Sequence, residues 1–220
     1  MSSNSNGKGL PRSIHHTTDL THLAPVDQPG KLIVVSGPSG SGKSTVLANL
    51  LSKCPLPLQL SVSATTRPPR PGEQHGREYW FLSDEEFKDR RAAAEFLECK
   101  EVFGRGYWYG TLRETVSTGL QAGKWVILEI DVQGAMSVLD YDPQAITIFI
   151  DPGSMEILEK RLRSRGTETE EVIRRRLEVA REEMSYMHRY KHRVVNETIE
   201  GSVHEICQLL CGYDVRIQKP

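Results

Sequence analysis

Apolar residues fall in short β-branched blocks separated by longer amphipathic stretches. The blocks are Lys31 to Ser36 (KLIVVS), Trp125 to Asp131 (WVILEID), Ile146 to Ile150 (ITIFI) and Arg193 to Asn196 (RVVN). Each is a continuous run with turn formers nearby, the pattern of a strand buried on both faces of a parallel sheet. Between them the period changes to that of a helix. Ser44 to Lys53 carries Val46, Leu47, Leu50 and Leu51 on one face. Leu112 to Ala122 reads as a helix ended by Gly123, and Val132-Gln133-Gly134 opens another. Ser154 to Arg165 is a helix broken by Gly166. A capping box at Thr167-Glu168-Thr169-Glu170 starts a helix to about Met187, with Ile173, Leu177, Ala180, Met184 and Met187 as its apolar stripe. Ser202-Val203-His204-Glu205 caps a last helix to about Val215. Strands alternating with helices predict an α/β fold around a parallel sheet.

The stretch from 58 to 111 reads differently. It holds strands at Leu58 to Ser63, Glu78 to Leu82, Phe96 to Phe103 and Tyr107 to Thr111. One helix interrupts them, capped by the box Ser83-Asp84-Glu85-Glu86 and running to about Glu95. This predicts a small β-rich lobe inserted into the core. The domain then spans 30–215, with its core at 30–57, 112–152 and 190–215, the lobe at 58–111, and a helical pair at about 153–189. Residues 1–29 are rich in Ser, Asn, Gly, Thr, His and Pro and bury too little apolar surface to offset their ordering entropy, so they read as a disordered tail. His15, His16 and His22 read there as solvated residues rather than metal ligands.

Length and charge narrow the function. A chain of 220 residues suits one α/β domain with small inserted lobes. A formal net charge of −1 provides no overall field toward nucleic acid or anionic membrane. No run approaches about 20 apolar residues, and the start of the chain lacks the apolar segment of a secretory signal. Cys54, Cys99, Cys207 and Cys211 form no paired zinc motif and read as free thiols of a reducing compartment. The expected location is the cytoplasm.

The chemistry concentrates after the first strand, at Gly37-Pro38-Ser39-Gly40-Ser41-Gly42-Lys43-Ser44-Thr45. This is phosphate-loop spacing between a buried strand and a helix. Glycines let consecutive backbone N–H groups turn inward as an anion nest, and the helix adds the positive end of its dipole. Lys43 can reach the β- and γ-phosphates, and the Ser44 hydroxyl suits Mg²⁺. Glu129 and Asp131, at the carboxyl end of a core strand, share one strand face and supply an acid for that metal; Asp131 is the candidate ligand with Ser44. Three prolines at 68, 69 and 71 stiffen the loop that carries Arg67 and Arg70. Two guanidiniums at fixed separation suit a dianionic phosphate, and a solvated basic loop fits that stretch equally well. Tyr79 and Tyr109 serve a binding site or the lobe core alike. Arg161 and Arg165 share a helix face, and Arg176 borders the inward face of the next helix. Together they suggest a lid over phosphates, against the alternative of two ordinary amphipathic helices with solvated arginines.

Taken together, GPSGSGKST, SATTRPPRPGE, GREYWF, ILEIDVQG and RLRSRGTETEE closely resemble the guanylate kinase family over about residues 31 to 215. The resemblance implies a phosphate-loop parallel-sheet core, an inserted GMP-binding lobe and a helical lid. It implies Mg²⁺-dependent transfer of phosphate from ATP to GMP, giving ADP and GDP. It places the acceptor phosphate on Arg67, Arg70, Tyr79 and Tyr109, and guanine on Ser63, Glu98, Thr111 and Asp131, with Glu73 as a further nucleotide contact. It places Arg161, Arg165 and Arg176 on the ATP phosphates and Asn196 near adenine. Lys43, Arg67 and the three lid arginines are then the catalytic set. Relative to the family spacing, two extra residues fall near Arg105-Gly106, Glu129 stands where aspartate is common, and Glu197 likewise follows Asn196. The rival reading is a guanylate-kinase-like module that has lost catalysis and binds phosphopeptides; the intact loop and lid arginines argue against it.

Overall fold

The structure, a computed structural model, describes residues 30–102, 106–164, 166 and 169–214. The tail at 1–29, Arg165, Thr167 and Glu168 lie outside the described residues.

The four buried runs meet side by side. Strand β1 (Leu32–Ser36) is buried along its length and lies mid-sheet, where the order is β2-β7-β1-β8-β9. Its neighbours β7 (Trp125–Glu129) and β8 (Ile146–Asp151) pair with it in parallel, and β9 (His192–Val195) continues beyond β8. Alternation sends Ile33 and Val35 to one face and Leu32 and Val34 to the other. On the first face pack α1 (Lys43–Lys53), through Val46, Leu47 and Leu50, and α7 (Ile199–Gly212), through Val203, Ile206 and Leu210. On the second pack α3 (Arg113–Gln121), through Val116, and α4 (Val132–Tyr141), through Val132, Ala135 and Val138. Two-sided burial is the reason the central strands are nearly continuous apolar runs, with polar residues mainly at their ends.

The lobe forms its own four-stranded sheet, ordered β4-β3-β6-β5, from β3 (Ala64–Thr65), β4 (Trp80–Phe81), β5 (Phe96–Val102) and β6 (Tyr107–Leu112). Strands β5 and β6 make an antiparallel hairpin, with Gly106 at φ 72 in its turn. Helix α2 (Asp84–Ala92) covers the sheet by stacking Phe87 on Phe96 at 4.3 Å. Its predicted capping box is present, with Ser83 and Glu86 each bonding the other's backbone.

Several boundaries differ from the sequence reading. The strand expected over Leu58 to Ser63 divides. Its first part, β2 (Leu58–Leu60), pairs with β7 at the edge of the core sheet, because Leu58 and Leu60 pack against the core. The lobe sheet therefore begins at Ala64 rather than at 58. The strand expected to reach Asp131 stops at Glu129, and Asp131 instead caps α4 by accepting from the Gly134 N–H at 2.8 Å. The last helix is capped by Thr198, which accepts from the Gly201 N–H, and not by Ser202. Ser202 is buried inside that helix.

Helices α5 (Met155–Arg163) and α6 (Glu170–Ser185) pack on each other through Leu158 and Leu162 against Ile173, Leu177 and Ala180. Thr169 is the N-cap of α6. Leu158 and Leu162 also press on Gly40, so this pair is seated directly on the glycine-rich loop.

Candidate active site

The loop between β1 and α1 opens onto a cavity of about 510 Å³. Gly37, Ser39, Gly40, Gly42, Lys43, Ser44 and Thr45 line one side. Ser63, Tyr79, Glu98, Lys100 and Tyr109 of the lobe line the other, with Glu129 and Asp131 at the floor and Glu183 of α6 above. The loop shape requires glycine at two points. Gly37 has φ 138 and meets the Ile150 carbonyl, and Gly42 has φ 95 and meets the Asn196 amide, so neither has room for a side chain.

Lys43 folds over the loop, its Nζ donating to the carbonyls of Gly37 at 2.6 Å and Pro38 at 3.1 Å. Burial pulls its pKa down, and Glu183, then Glu129 and Asp131, oppose that. The Ser44 hydroxyl donates to Glu129 Oε1 at 2.6 Å. Asp131 is held elsewhere, by the Gly134 N–H and by Lys100 Nζ at 3.0 Å. Of the two acids expected for a metal, it is Glu129 that touches Ser44; the reason is that Asp131 has left the strand to cap α4.

Arg67 is 9% exposed. Its Nη2 donates to both Glu73 oxygens at 2.9 Å, and its Nη1 to the Pro68 carbonyl at 2.7 Å. The guanidinium lies 5.5 Å from the Tyr79 ring centre and 5.8 Å from that of Phe81. Glu73 also accepts from the Arg70 N–H at 2.7 Å, and this bond, followed by the Arg67 partnership, holds its carboxyl below the usual range. Glu73, expected as a nucleotide contact, therefore positions Arg67. The Arg70 side chain is exposed. The rings of Tyr79 and Tyr109 meet edge to face at 5.7 Å, and both remain half-buried at the cavity wall.

Glu98 and Thr111 face each other across the β5–β6 hairpin, with the Thr111 hydroxyl donating to Glu98 Oε1 at 2.6 Å. Burial pushes the Glu98 carboxyl up to about 7; the Thr111 bond opposes that, and Asp131 adds to it. Glu98 pairs with Thr111 and Lys100 with Tyr109 in one hairpin register; of the expected insertion near Arg105-Gly106, Arg105 lies outside the described residues.

Asn196 is 2% exposed. Its Nδ2 donates to the Ser41 carbonyl at 2.7 Å, and its Oδ1 accepts from Ser202 at 3.0 Å. Arg161 donates to the Asn196 carbonyl at 2.6 Å and the Ser41 carbonyl at 3.3 Å. Both residues thus brace the phosphate loop through the Ser41 carbonyl. Arg176 is half-buried on α6, and Arg165 lies outside the described residues.

Two cavity residues were missed by sequence reasoning. Lys100 is two residues beyond Glu98 on β5 and so shares its face, which alternation reveals. Glu183 falls two helical turns after Arg176 on the same face of α6, which the 3.6 period reveals. Among the described residues no cluster of three or more His, Cys, Asp or Glu forms a preassembled metal site, and no helix is long and apolar enough to cross a membrane.

A family model described as guanylate kinase matches residues 29–213. A guanylate kinase of Rhodopirellula baltica is 61% identical over 184 residues, covering 83% of this chain and 88% of that one. A guanylate kinase of a Nostoc species is 46% identical over 183 residues, covering 83% and 90%. The crystal structure of guanylate kinase from Anaplasma phagocytophilum superposes with a TM-score of 0.67 at 34% identity, covering 84% of this chain and 86% of that one.

Proposed function

The chain belongs to the guanylate kinase family, and from that premise we propose that the cavity described above is where it transfers the γ-phosphoryl group of ATP to GMP. It is an ATP:GMP phosphotransferase, releasing ADP and GDP. The observation that carries the site assignment is that one cavity is walled by the phosphate loop on one side and by Glu98, Tyr79 and Tyr109 on the other. Donor and acceptor phosphates would meet between them.

On the acceptor side, guanine presents N1–H and N2–H₂ donors beside an O6 acceptor. The Glu98 carboxylate matches the donors. Thr111 holds Glu98 in place, and Ser63 and Asp131 complete the base pocket. Adenine offers an acceptor at N1, opposite a carboxylate, which disfavours AMP by on the order of 10³-fold when that carboxylate is buried and ionised. Arg67, fixed by Glu73 and flanked by Tyr79, would take the GMP phosphate with Arg70 and Tyr109. A bidentate guanidinium suits a phosphate dianion, and an arginine fixed before binding loses little entropy on doing so.

On the donor side, the backbone N–H groups from Ser39 to Thr45 would cradle the ATP phosphates, and Lys43 would swing from its loop carbonyls to the β- and γ-phosphates. Asn196 and Arg161 keep the loop in shape, Arg176 belongs to α6 of the lid, and the family resemblance adds Arg165 to the arginines that would meet the ATP phosphates. The donor set at the loop mouth is a hydroxyl and a carboxylate, Ser44 and Glu129, which fits the oxygen preference of Mg²⁺. When bound there, Mg²⁺ supplies charge neutralisation at the transferred phosphoryl group. No covalent intermediate is required: the GMP phosphate is itself the nucleophile, and these side chains hold it in line and exclude water.

The deciding experiment measures ADP formation with GMP, AMP, CMP or UMP offered separately, in wild type and in Lys43→Ala. Turnover confined to GMP and lost in the variant is expected. Folded wild-type protein that turns over none of the four would return weight to the phosphopeptide-binding reading.

A further inference from the structure

The phosphate nest is not empty of anions. Glu183 projects from α6 into the cavity, where it shares the wall with Ser39, Gly40 and Lys43 of the loop assigned above to the ATP phosphates, and the Ser39 backbone N–H favours its ionised form. It is the largest electrostatic support of the Lys43 ammonium, ahead of Glu129 and Asp131. The two residues before it, Arg181 and Glu182, are exposed, whereas Glu183 is half-buried and Val179, one turn earlier, lines the same cavity. This orientation is set by packing. Ile173, Leu177 and Ala180 fix the roll of α6 on α5, and Leu158 and Leu162 of α5 rest on Gly40.

We propose that Glu183 is a built-in stand-in for a nucleotide phosphate, which faces the cradle and Lys43 while the donor site is vacant and contests that cradle with ATP and ADP. The proposal rests on the assignment of this loop to the donor phosphates. A carboxylate and a phosphate oxygen cannot share one N–H donor, and two anions within a few ångströms in a half-buried site repel. An arriving triphosphate must therefore displace Glu183, and a departing ADP is helped out by its return. The residue acts on donor affinity and on product release, not on the chemical step. Burial pushes its carboxyl up to about 7. The charged groups facing it are Lys43 of α1 and Lys100 of β5, which favour the carboxylate, and Asp131 at the start of α4, which opposes it.

The test is Glu183→Gln, which keeps the shape and removes the charge, beside Glu183→Asp, which keeps the charge. Direct titration with ATP, ADP and inorganic pyrophosphate at pH 8 is expected to give dissociation constants about tenfold lower in the Gln variant, one lost like-charge contact. Adenosine, which lacks phosphate, is expected to bind both alike, and the Asp variant to stay with wild type. Unchanged or weaker pyrophosphate binding by Glu183→Gln overturns the proposal, as does equal behaviour of Gln and Asp. Tighter adenosine binding in step with ATP also overturns it, since a general rearrangement would then be the cause. Wild-type protein that binds pyrophosphate but fails to phosphorylate GMP would instead refute the functional reading and leave Glu183's competition standing.

Discussion

The Thr111 hydroxyl donates to Glu98 Oε1 over 2.6 Å, so the carboxylate proposed to read the base is held by a neighbour on the opposite strand. Thr111→Val removes that donor with little change of shape. The Glu98 carboxyl should then rise further above about 7, because the bond that opposes burial is gone. The expected result is a KM for GMP raised about tenfold at pH 7 and partly recovered at pH 8.5, with the KM for ATP unmoved. Steady-state kinetics at the two pH values check it.

Base selectivity should depend on pH. Guanine needs the ionised Glu98, whereas the neutral carboxyl can donate to adenine N1. As pH falls from 8 to 6 through the raised pKa, the ionised fraction falls and the neutral fraction rises by about tenfold each, so the ratio of kcat/KM for GMP to that for AMP is expected to shrink by about 10²-fold. Competition assays with both acceptors present measure the ratio directly, and a flat ratio would remove Glu98 from the base pocket.

The same carboxyl bears on stability. Its folded pKa lies above its unfolded value of 4.5, so between about 4.5 and 7 the folded chain binds more protons, and stability contributed by the neutral form is lost as pH rises through that window. Glu98→Gln should therefore raise Tm at pH 8 and leave it nearly unchanged at pH 4.5, while abolishing selectivity for GMP. Thermal unfolding at the two pH values provides the comparison.

Arg67→Ala should raise the KM for GMP and lower kcat, for a combined loss of about 10²-fold or more, because a bidentate charged contact to phosphate is removed. Glu73→Gln should reproduce a smaller part of the loss, since Arg67 survives but is no longer fixed. ATP binding should be intact in both. Equal GMP kinetics in Arg67→Ala and wild type would exclude the residue from the site.

Asn196→Ala removes a side chain that satisfies the Ser41 carbonyl and strands the buried Ser202 hydroxyl. The expected costs are about 1–3 kcal/mol of stability and a weaker grip on ATP through a loosened loop. Denaturant unfolding and ATP titration read the two effects separately, and the GMP KM should stay put.

Much of this was legible in the sequence for identifiable reasons. The buried strands announced themselves because two-sided burial leaves few polar positions, and the phosphate loop because only glycine survives where Gly37 and Gly42 sit. What stayed hidden depends on contacts between distant segments. Leu58 to Ser63 reads as one strand, and only the presence of β7 divides it. That Asp131 caps α4 through Gly134, and that Asn196 bonds the Ser41 carbonyl 155 positions away, cannot be read from either segment alone. Glu183 and Lys100 were visible to periodicity as residues of a face, yet which face meets the cavity is fixed by packing alone.

The brace on the phosphate loop also dictates when it can exist. The bond from Asn196 to Ser41 joins positions 155 apart in the chain, and β1 gains its place only between β7 and β8. A chain emerging from the ribosome displays the glycine-rich loop early, but the loop acquires its nucleotide-binding shape only after β9 has been made and docked. Closing so long a loop is entropically slow, and it ties the appearance of the donor site to completion of nearly the whole fold.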